Sequence, residues 1–268
     1  MENLLTEIEK IPKDEFDKLT AGKKLIVFDL DGTLAESKSD VDPEMVGLLG
    51  KLLEKKKVAV IGGGKFELFE RQLLSKINAA PELLKNLFLF PVTATAFYRF
   101  EGSGWQEVYS GKLTKEEKQK ILAAFEKTFE KLNYRHPDKI YGELIEDRGA
   151  EIVFSALGQE APLEEKEKWN KENPDIRSKM EKILQNYLPD MEAKVAGLTS
   201  IDVTRKGVDK AYGIRQISKY VNTSLEEMLF VGNDFSREGN DEPVLKTGVL
   251  CFEVKGFGDT KKLIRYLL

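Results

Sequence analysis

Cysteine is nearly absent from this 268-residue chain: Cys251 is the only one, so no disulfide can form within the molecule. A reducing compartment fits that usage, and the cytoplasm is the expected location. Histidine is as scarce. With His136 alone beside one cysteine, neither a His-rich zinc site nor a Cys–His nucleophile can be assembled. Long hydrophobic runs are missing: no stretch approaches the roughly 20 apolar residues that span a bilayer, and the N-terminus lacks a signal-peptide core. No membrane partner is expected. An excess of one charge is missing as well. The 46 acidic and 42 basic residues are interspersed, giving a net charge of −4 and no basic tract for nucleic acid. GGGK at 62–65 lacks the upstream glycine spacing and the following Ser/Thr of a P-loop.

What remains is the composition of a folded globular protein, 41% hydrophobic and 33% charged, which excludes disorder as the general state. Leu4, Leu5, Ile8 and Ile11 are spaced for a short amphipathic helix within residues 1–20. LIVFDL at 25–30 reads as a strand buried on both faces, with acids at its carboxyl end. Asp42 as N-cap and Pro43 in the first turn open a helix to about residue 56. VAVIGGG at 58–64, a helix over 66–77 and LFLFPV at 87–92 continue an alternating, right-handed α/β unit.

The pattern changes with a hairpin at 96–111 around Gly-Ser-Gly. A helix at 115–132, strands near 140–147 and 151–157, a charged helix over 163–187 and strands near 192–196 and 200–204 then follow. Both tryptophans, Trp105 and Trp169, are expected to pack in this section. From Val208 the α/β pattern resumes, with a helix near 209–220, the strand MLFVG at 228–232, the strand GVLCFEV and a terminal helix. The expected architecture is a doubly wound, parallel-sheet α/β core formed by residues 1–104 and 207–268, with an inserted α+β cap over 105–206.

The most specific string is FDLDGTL at 28–34. Phosphoryl transfer needs an in-line nucleophile, neutralised phosphate charge and a proton carrier for the leaving group. Asp29 and Asp31, pointing the same way from a strand end, repel each other unless a cation lies between them, and Mg2+ is the hard, oxygen-seeking choice. Asp29 is then the nucleophile that forms an aspartyl phosphate, and Asp31 the acid/base. Gly32 and Thr33 let the backbone turn and offer donors to the phosphate.

FDLDGTL resembles the first motif of the haloacid dehalogenase superfamily of phosphotransferases. VAVIGGG, GVDKAYGIR and FVGNDFSREGND fall where that superfamily places its later motifs. The layout, a large α+β cap between the second and third motifs, resembles the type IIB branch. IGGGKFELF, ELIEDRGAEIVFSALGQ, SIDVTRKGVDK and GNDFSREGND resemble, in order, the eukaryotic-type phosphomannomutases over residues 23–268. The resemblance implies Lys210 as the charge partner of the phosphate and Lys38, Arg148, Ser200 and Asp202 as substrate-binding residues. It also implies Mg2+ held by Asp29 and Asp31 with Asn233, Asp234 or Asp241.

Three departures stand out. Tyr141 and Gln159 occupy positions where the mutases carry phosphate-binding arginines. Gly62, Gly63 and Gly64 replace the expected Ser/Thr hydroxyl, leaving backbone N–H groups to cradle phosphate. Asn233 replaces an acidic ligand and weakens the hold on Mg2+. Two lost guanidinium groups favour a phosphatase of a sugar phosphate or similar small metabolite. A mutase of hexose phosphates and a catalytically impaired ligand-binding protein are the alternatives. Whether the chain forms a homodimer is left open.

Overall fold

The computed structural model describes residues 5–7, 11–37, 39–237 and 239–268. They fall into two compact units, Met1–Ser110 with Val208–Leu268, and Gly111–Gly207. The strands among the described residues are β1 (Leu5–Glu7), β2 (Leu25–Asp29), β3 (Lys57–Ile61), β4 (Leu87–Phe90), β5 (Ala96–Glu101), β6 (Gly104–Ser110), β7 (Ile145–Asp147), β8 (Glu151–Ser155), β9 (Met191–Ala196), β10 (Ser200–Arg205), β11 (Met228–Gly232) and β12 (Leu250–Glu253).

In the first unit these strands form one sheet in the order β1-β12-β11-β2-β3-β4-β5-β6. The pairs from β1 to β4 are parallel, and β5 and β6 add an antiparallel edge. The central strands are buried on both faces, and the period of two deals their side chains alternately to two cores. Ile26 and Phe28 of β2, with Val58 and Val60 of β3, pack against the helices Pro43–Leu53 and Phe257–Leu267. Leu25 and Val27, with Ala59 and Ile61, face Ile214 and Ile217 of the helix Lys210–Val221. Helices thus cover both faces, as the doubly wound reading requires.

From β2 the chain winds one way through β3 and β4; it returns on the other side through β11 and β12. The carboxyl ends of β2 and β11 therefore flank the point where the winding reverses, which is where open α/β sheets place ligands.

Several expected elements differ. Leu5–Glu7 is a strand whose backbone pairs with Cys251–Glu253, and helix begins only at Lys13; Leu4 and Ile8 lie outside the described residues. An unpaired sheet edge outcompeted a weak helical pattern. The helix expected over 66–77 is one α turn, Phe66–Phe69, followed by a π-type turn, Glu70–Leu74; there the buried Gln72 donates Nε2 to the Ser39 carbonyl at 2.7 Å. The single helix expected over 163–187 is two, Leu163–Glu172 and Ile176–Tyr187, because Pro174 has no N–H to continue the first. Asp42 does cap its helix, accepting from Met45 N at 2.9 Å with Pro43 next in line.

The hairpin β5–β6 continues the large sheet, and Trp105 packs on the first unit's core. The division between units therefore falls after Ser110 instead of after residue 104. The second unit is α+β: an antiparallel sheet, β7-β8-β10-β9, whose Ile152, Phe154, Ile201 and Val203 pack with the helices Lys115–Lys131 and Ile176–Tyr187. Trp169 is buried in that core.

Candidate active site

Asp29 is the last residue of β2 and lies on the same side as Leu25 and Val27, so period two aims it toward the helix Lys210–Val221. That helix starts where Asp209 Oδ1 accepts from Tyr212 N at 2.7 Å, and Lys210 is its first residue. Lys210 is buried and its Nζ donates to Asp29 Oδ1 at 2.7 Å, to Asn240 Oδ1 at 3.1 Å and to Asp241 Oδ1. Both partner carboxylates are also buried.

Burial pushes Asp29 up to about 6, against the pull of Lys210 and with the repulsion of Asp241 added. Burial alone would lower Lys210, but Asp29 and Asp241 outweigh it and hold the ammonium above its ordinary value. A cation fixed against two carboxylates keeps one net negative charge at the strand end. Breaking such a buried pair is costly, so the lysine is tied to its place.

Beyond Asp29 the backbone turns at Gly32, whose φ is +82°. A Cβ there would meet Asn233 Nδ2 at 2.6 Å, so glycine is required both by conformation and by the closeness of the β11 loop. Thr33 Oγ1 sits 3.2 Å from Asp29 Oδ2 and 3.2 Å from Asn233 Oδ1. One hydroxyl thus gathers an oxygen from each of the two central strand ends. Thr260 Oγ1 steadies the turn by donating to the Thr33 carbonyl at 2.7 Å. Asp31 is half-buried on this loop, its backbone bridged to Ala35.

Asp241 holds the opposite wall. Its Oδ2 accepts from Asn233 N at 3.0 Å and Asp234 N at 2.9 Å while Oδ1 takes Lys210. Gly232 makes room for it, since a Cβ there would lie 2.5 Å from Asp241 Oδ2. With both oxygens engaged and the side chain fully buried, Asp241 orders the loop and the lysine and does not suit the metal-ligand role expected of it. Oxygen donors that could hold a divalent ion are Asp29, Asp31 and Asn233, with Asp234 adjacent; Asp234 Oδ1 already accepts from Ser236 Oγ at 2.8 Å. No group of three or more His, Cys, Asp or Glu arranged to hold a metal occurs among the described residues, so the set depends on the Asn233 amide.

The glycine stretch lies past β3, next to β2. Gly62 N donates to Phe90 O at 3.3 Å, while the Gly62 and Gly64 carbonyls accept from Thr93 N and Val92 N, each at 2.9 Å. The donor of Gly62 is therefore engaged, which leaves the expected cradle to Gly63 and Gly64. Val92, Thr93 and Ala94 all have positive φ, 49°, 52° and 59°, an unusual left-handed run that anchors this loop.

The family model for eukaryotic phosphomannomutase matches residues 45–268. The chain belongs to this family. Phosphomannomutase 1 of Homo sapiens is 26% identical over 231 residues, covering 81% of this chain and 81% of the human protein. The phosphomannomutase of Saccharomyces cerevisiae is 28% identical over 260 residues, covering 94% and 97%. Among solved structures, the IMP-bound, N-terminally truncated IMP-nucleotidase of Plasmodium falciparum superposes with a TM-score of 0.69 at 16% identity, covering 95% of this chain and 70% of that one. Trehalose-6-phosphate phosphatase of Aspergillus fumigatus gives 0.60 at 15% identity, covering 96% and 97%. At such identities these two establish the shared fold alone. Membership places the chain among enzymes of the phosphotransferase kind.

Against the family resemblance, Asp29, Thr33, Lys210, Asn233 and Asp241 gather at the ends of β2 and β11. Lys38 lies outside the described residues. Arg148, Ser200 and Asp202 belong to the second unit, where Arg148 Nε donates to Glu146 Oε2 at 2.8 Å and Nη1 to Glu151 Oε1 at 3.0 Å. Sequence reasoning missed Asn240 and Thr260, and in the second unit Glu146 and Glu151. Glu151 offered a signal: an acid in the apolar strand EIVFS is out of pattern unless it is paired. Cys251 is buried and its thiol is pushed up to about 12, which makes it inert. Among the described residues no helix is long and apolar enough to cross a membrane.

Proposed function

We propose that the chain transfers phosphoryl groups through Asp29 and acts chiefly as a phosphatase of a sugar phosphate or similar small phosphomonoester. The observation that carries this reading is the buried Asp29–Lys210 contact at the reversal point of the sheet, with Thr33 and Asn233 converging beside it. Asp29 Oδ1 is held by Lys210, and Oδ2, touched by one hydroxyl at 3.2 Å, is the freer oxygen to attack phosphorus. Asp31 donates the proton to the leaving oxygen and then takes one from the incoming water. Lys210 offsets charge on the phosphoryl oxygens without moving, because Asp241 and Asn240 already orient it.

A divalent ion suits the oxygen donors of Asp29, Asp31 and Asn233, and Mg2+ bound there would neutralise phosphate charge and bring the anionic substrate to the carboxylate. Asn233 supplies an oxygen but no charge, so the chain's hold on the ion is weaker than that of an all-carboxylate set.

A mutase of hexose phosphates is the second reading, and the matches to named phosphomannomutases favour it. Tyr141 and Gln159, standing where arginines are expected, weigh against it. So do the two glutamates that occupy Arg148. A panel of phosphomonoesters with Mg2+ separates the readings. Phosphate release without isomer conversion supports the phosphatase, and conversion without release, dependent on a sugar bisphosphate, supports the mutase. In either case Asp29→Asn lowers turnover by roughly 10⁴-fold or more, the scale seen when a covalent nucleophile is removed.

A further inference from the structure

The amino ends of the central strands gather charge of the opposite sign to the carboxyl ends. β11, β2, β3 and β4 begin side by side in the first unit, and Lys23, Lys24, Lys56, Lys57, Asn86 and Glu227 stand at or just before their starts. Together with the turn after the helix Lys210–Val221 they line a cavity of about 480 Å³, within the size range of small-ligand pockets. Asp29 closes the other end of β2, roughly 15 Å away at the rise of a strand. Every residue lining the cavity is polar or charged, with five lysines against two glutamates. The helices Pro43–Leu53 and Lys210–Val221 both end here, and their carboxyl ends offset about one charge between them. An excess of positive charge remains.

Three of the lysines hold that excess. Lys24 and Lys55 are exposed; Lys24 pairs with Glu227, and Lys55 donates to Leu268 O. Lys23, Lys56 and Lys57 are half-buried, and among the described residues no ion pair engages them. Their ammonium groups rest instead on peptide carbonyls: Lys23 Nζ donates to Glu226 O at 2.6 Å, Lys57 Nζ to Val221 O at 3.3 Å, and Lys56 Nζ to Lys23 O. A neutral carbonyl fixes an ammonium without cancelling its charge, and each ammonium keeps two of its three donors. Burial lowers Lys23 from its ordinary value and outweighs the pull of Glu226, as befits a cation short of counter-charge. Capping of a helix end accounts for Lys57 at Val221. It does not account for Lys23 and Lys56, whose acceptors belong to no α-helix.

We propose that this cavity binds a compact polyanion, a small molecule carrying two or more phosphate groups, through Lys23, Lys56 and Lys57. Linked phosphates can meet all three ammonium groups at once, whereas a single phosphate meets only some of them. No aromatic or apolar residue lines the cavity to take a nucleobase or an acyl chain. Bound there, the polyanion lies at the far end of the sheet from Asp29 and is a ligand distinct from the substrate, whichever phosphomonoester is turned over.

Isothermal titration of the full chain in EDTA with inorganic tripolyphosphate, and in parallel with orthophosphate, tests the site. Wild type is expected to bind tripolyphosphate roughly tenfold or more tighter than orthophosphate, the scale of one added charged hydrogen bond. The triple variant Lys23→Gln, Lys56→Gln, Lys57→Gln removes three charges while leaving each side chain a donor for its carbonyl. It is expected to weaken tripolyphosphate binding roughly 100-fold or more, at about tenfold for each charged hydrogen bond lost. Three results overturn the site: no binding by wild type, wild-type affinity in a triple variant that melts like wild type, or orthophosphate bound as tightly as tripolyphosphate. If the triple variant does not fold, Lys56→Gln and Lys57→Gln singly decide. About tenfold weaker binding in each upholds the site, and wild-type affinity in either overturns it.

Discussion

Lys210 is the residue on which the electrostatics of the strand ends turn. Replacing it with methionine keeps the length of the stem but leaves Asp29 and Asp241 buried and facing each other, so Lys210→Met should cost about 3–5 kcal/mol of stability and abolish turnover. Urea denaturation reads the first effect and phosphate release the second. In the second unit the sign of the pH dependence follows from Glu151. Its folded-state value, about 8, lies above the ordinary 4.5, so between those limits the folded chain binds more protons than the unfolded chain. The contribution of Glu151 to stability is therefore greatest in acid and is lost as pH rises from about 4.5 to about 8, with Asp202 adding the same trend between 3.8 and about 6. Glu151→Gln should flatten this slope and raise the melting temperature at pH 8 relative to wild type. Asp29, Lys210 and Asn233 were legible in the sequence because FDLDGTL, GVDK and FVGND are specific strings. Arg148 was legible as a residue but not in its state, since the glutamates that engage it lie on two strands whose register no local pattern reveals.

At the scale of elements, the left-handed turn at Pro91–Ala94 is the most unusual piece of backbone. Thr93 adopts φ 52° while its N–H anchors the Gly62 carbonyl. Thr93→Gly removes the steric cost of that conformation and should stabilise the fold by about 1 kcal/mol, a rise of about 2–4 °C in melting temperature. Thr93→Pro forces φ negative and deletes the donor, and should destabilise by about 3 kcal/mol while lowering activity through the glycine loop. In differential scanning calorimetry the two variants should shift in opposite directions. The strands β2, β3 and β11 were readable as short apolar runs closed by Asp or Gly. The turn was not, because Val-Thr-Ala carries none of the Asn or Gly that usually marks positive φ. The break at Pro174 was written in the sequence as Asn-Pro and outweighed by the helical pattern around it, and the edge strand at Leu5–Glu7 needed the sheet to define it.

For the whole molecule, the alternation of strand and helix, its interruption after the strand at 87–92 and its resumption at Val208 were all legible, and they yield the doubly wound unit and its insertion. The point of division was less so, because a hairpin looks alike whether it closes one unit or opens the next; only pairing with β4 assigns it to the large sheet. The family match covers residues 45–268 and so takes in both units. The central claim is covalent: a phosphoryl group passes through Asp29. Rapid quenching of the enzyme during turnover with Mg2+ and a hexose 6-phosphate, followed by mass spectrometry of the peptide spanning residues 25–37, tests it directly. A phosphoryl adduct on Asp29, discharged by hydroxylamine and absent from Asp29→Asn, is the predicted result. Turnover with no adduct at Asp29, or an adduct on another residue, would contradict it.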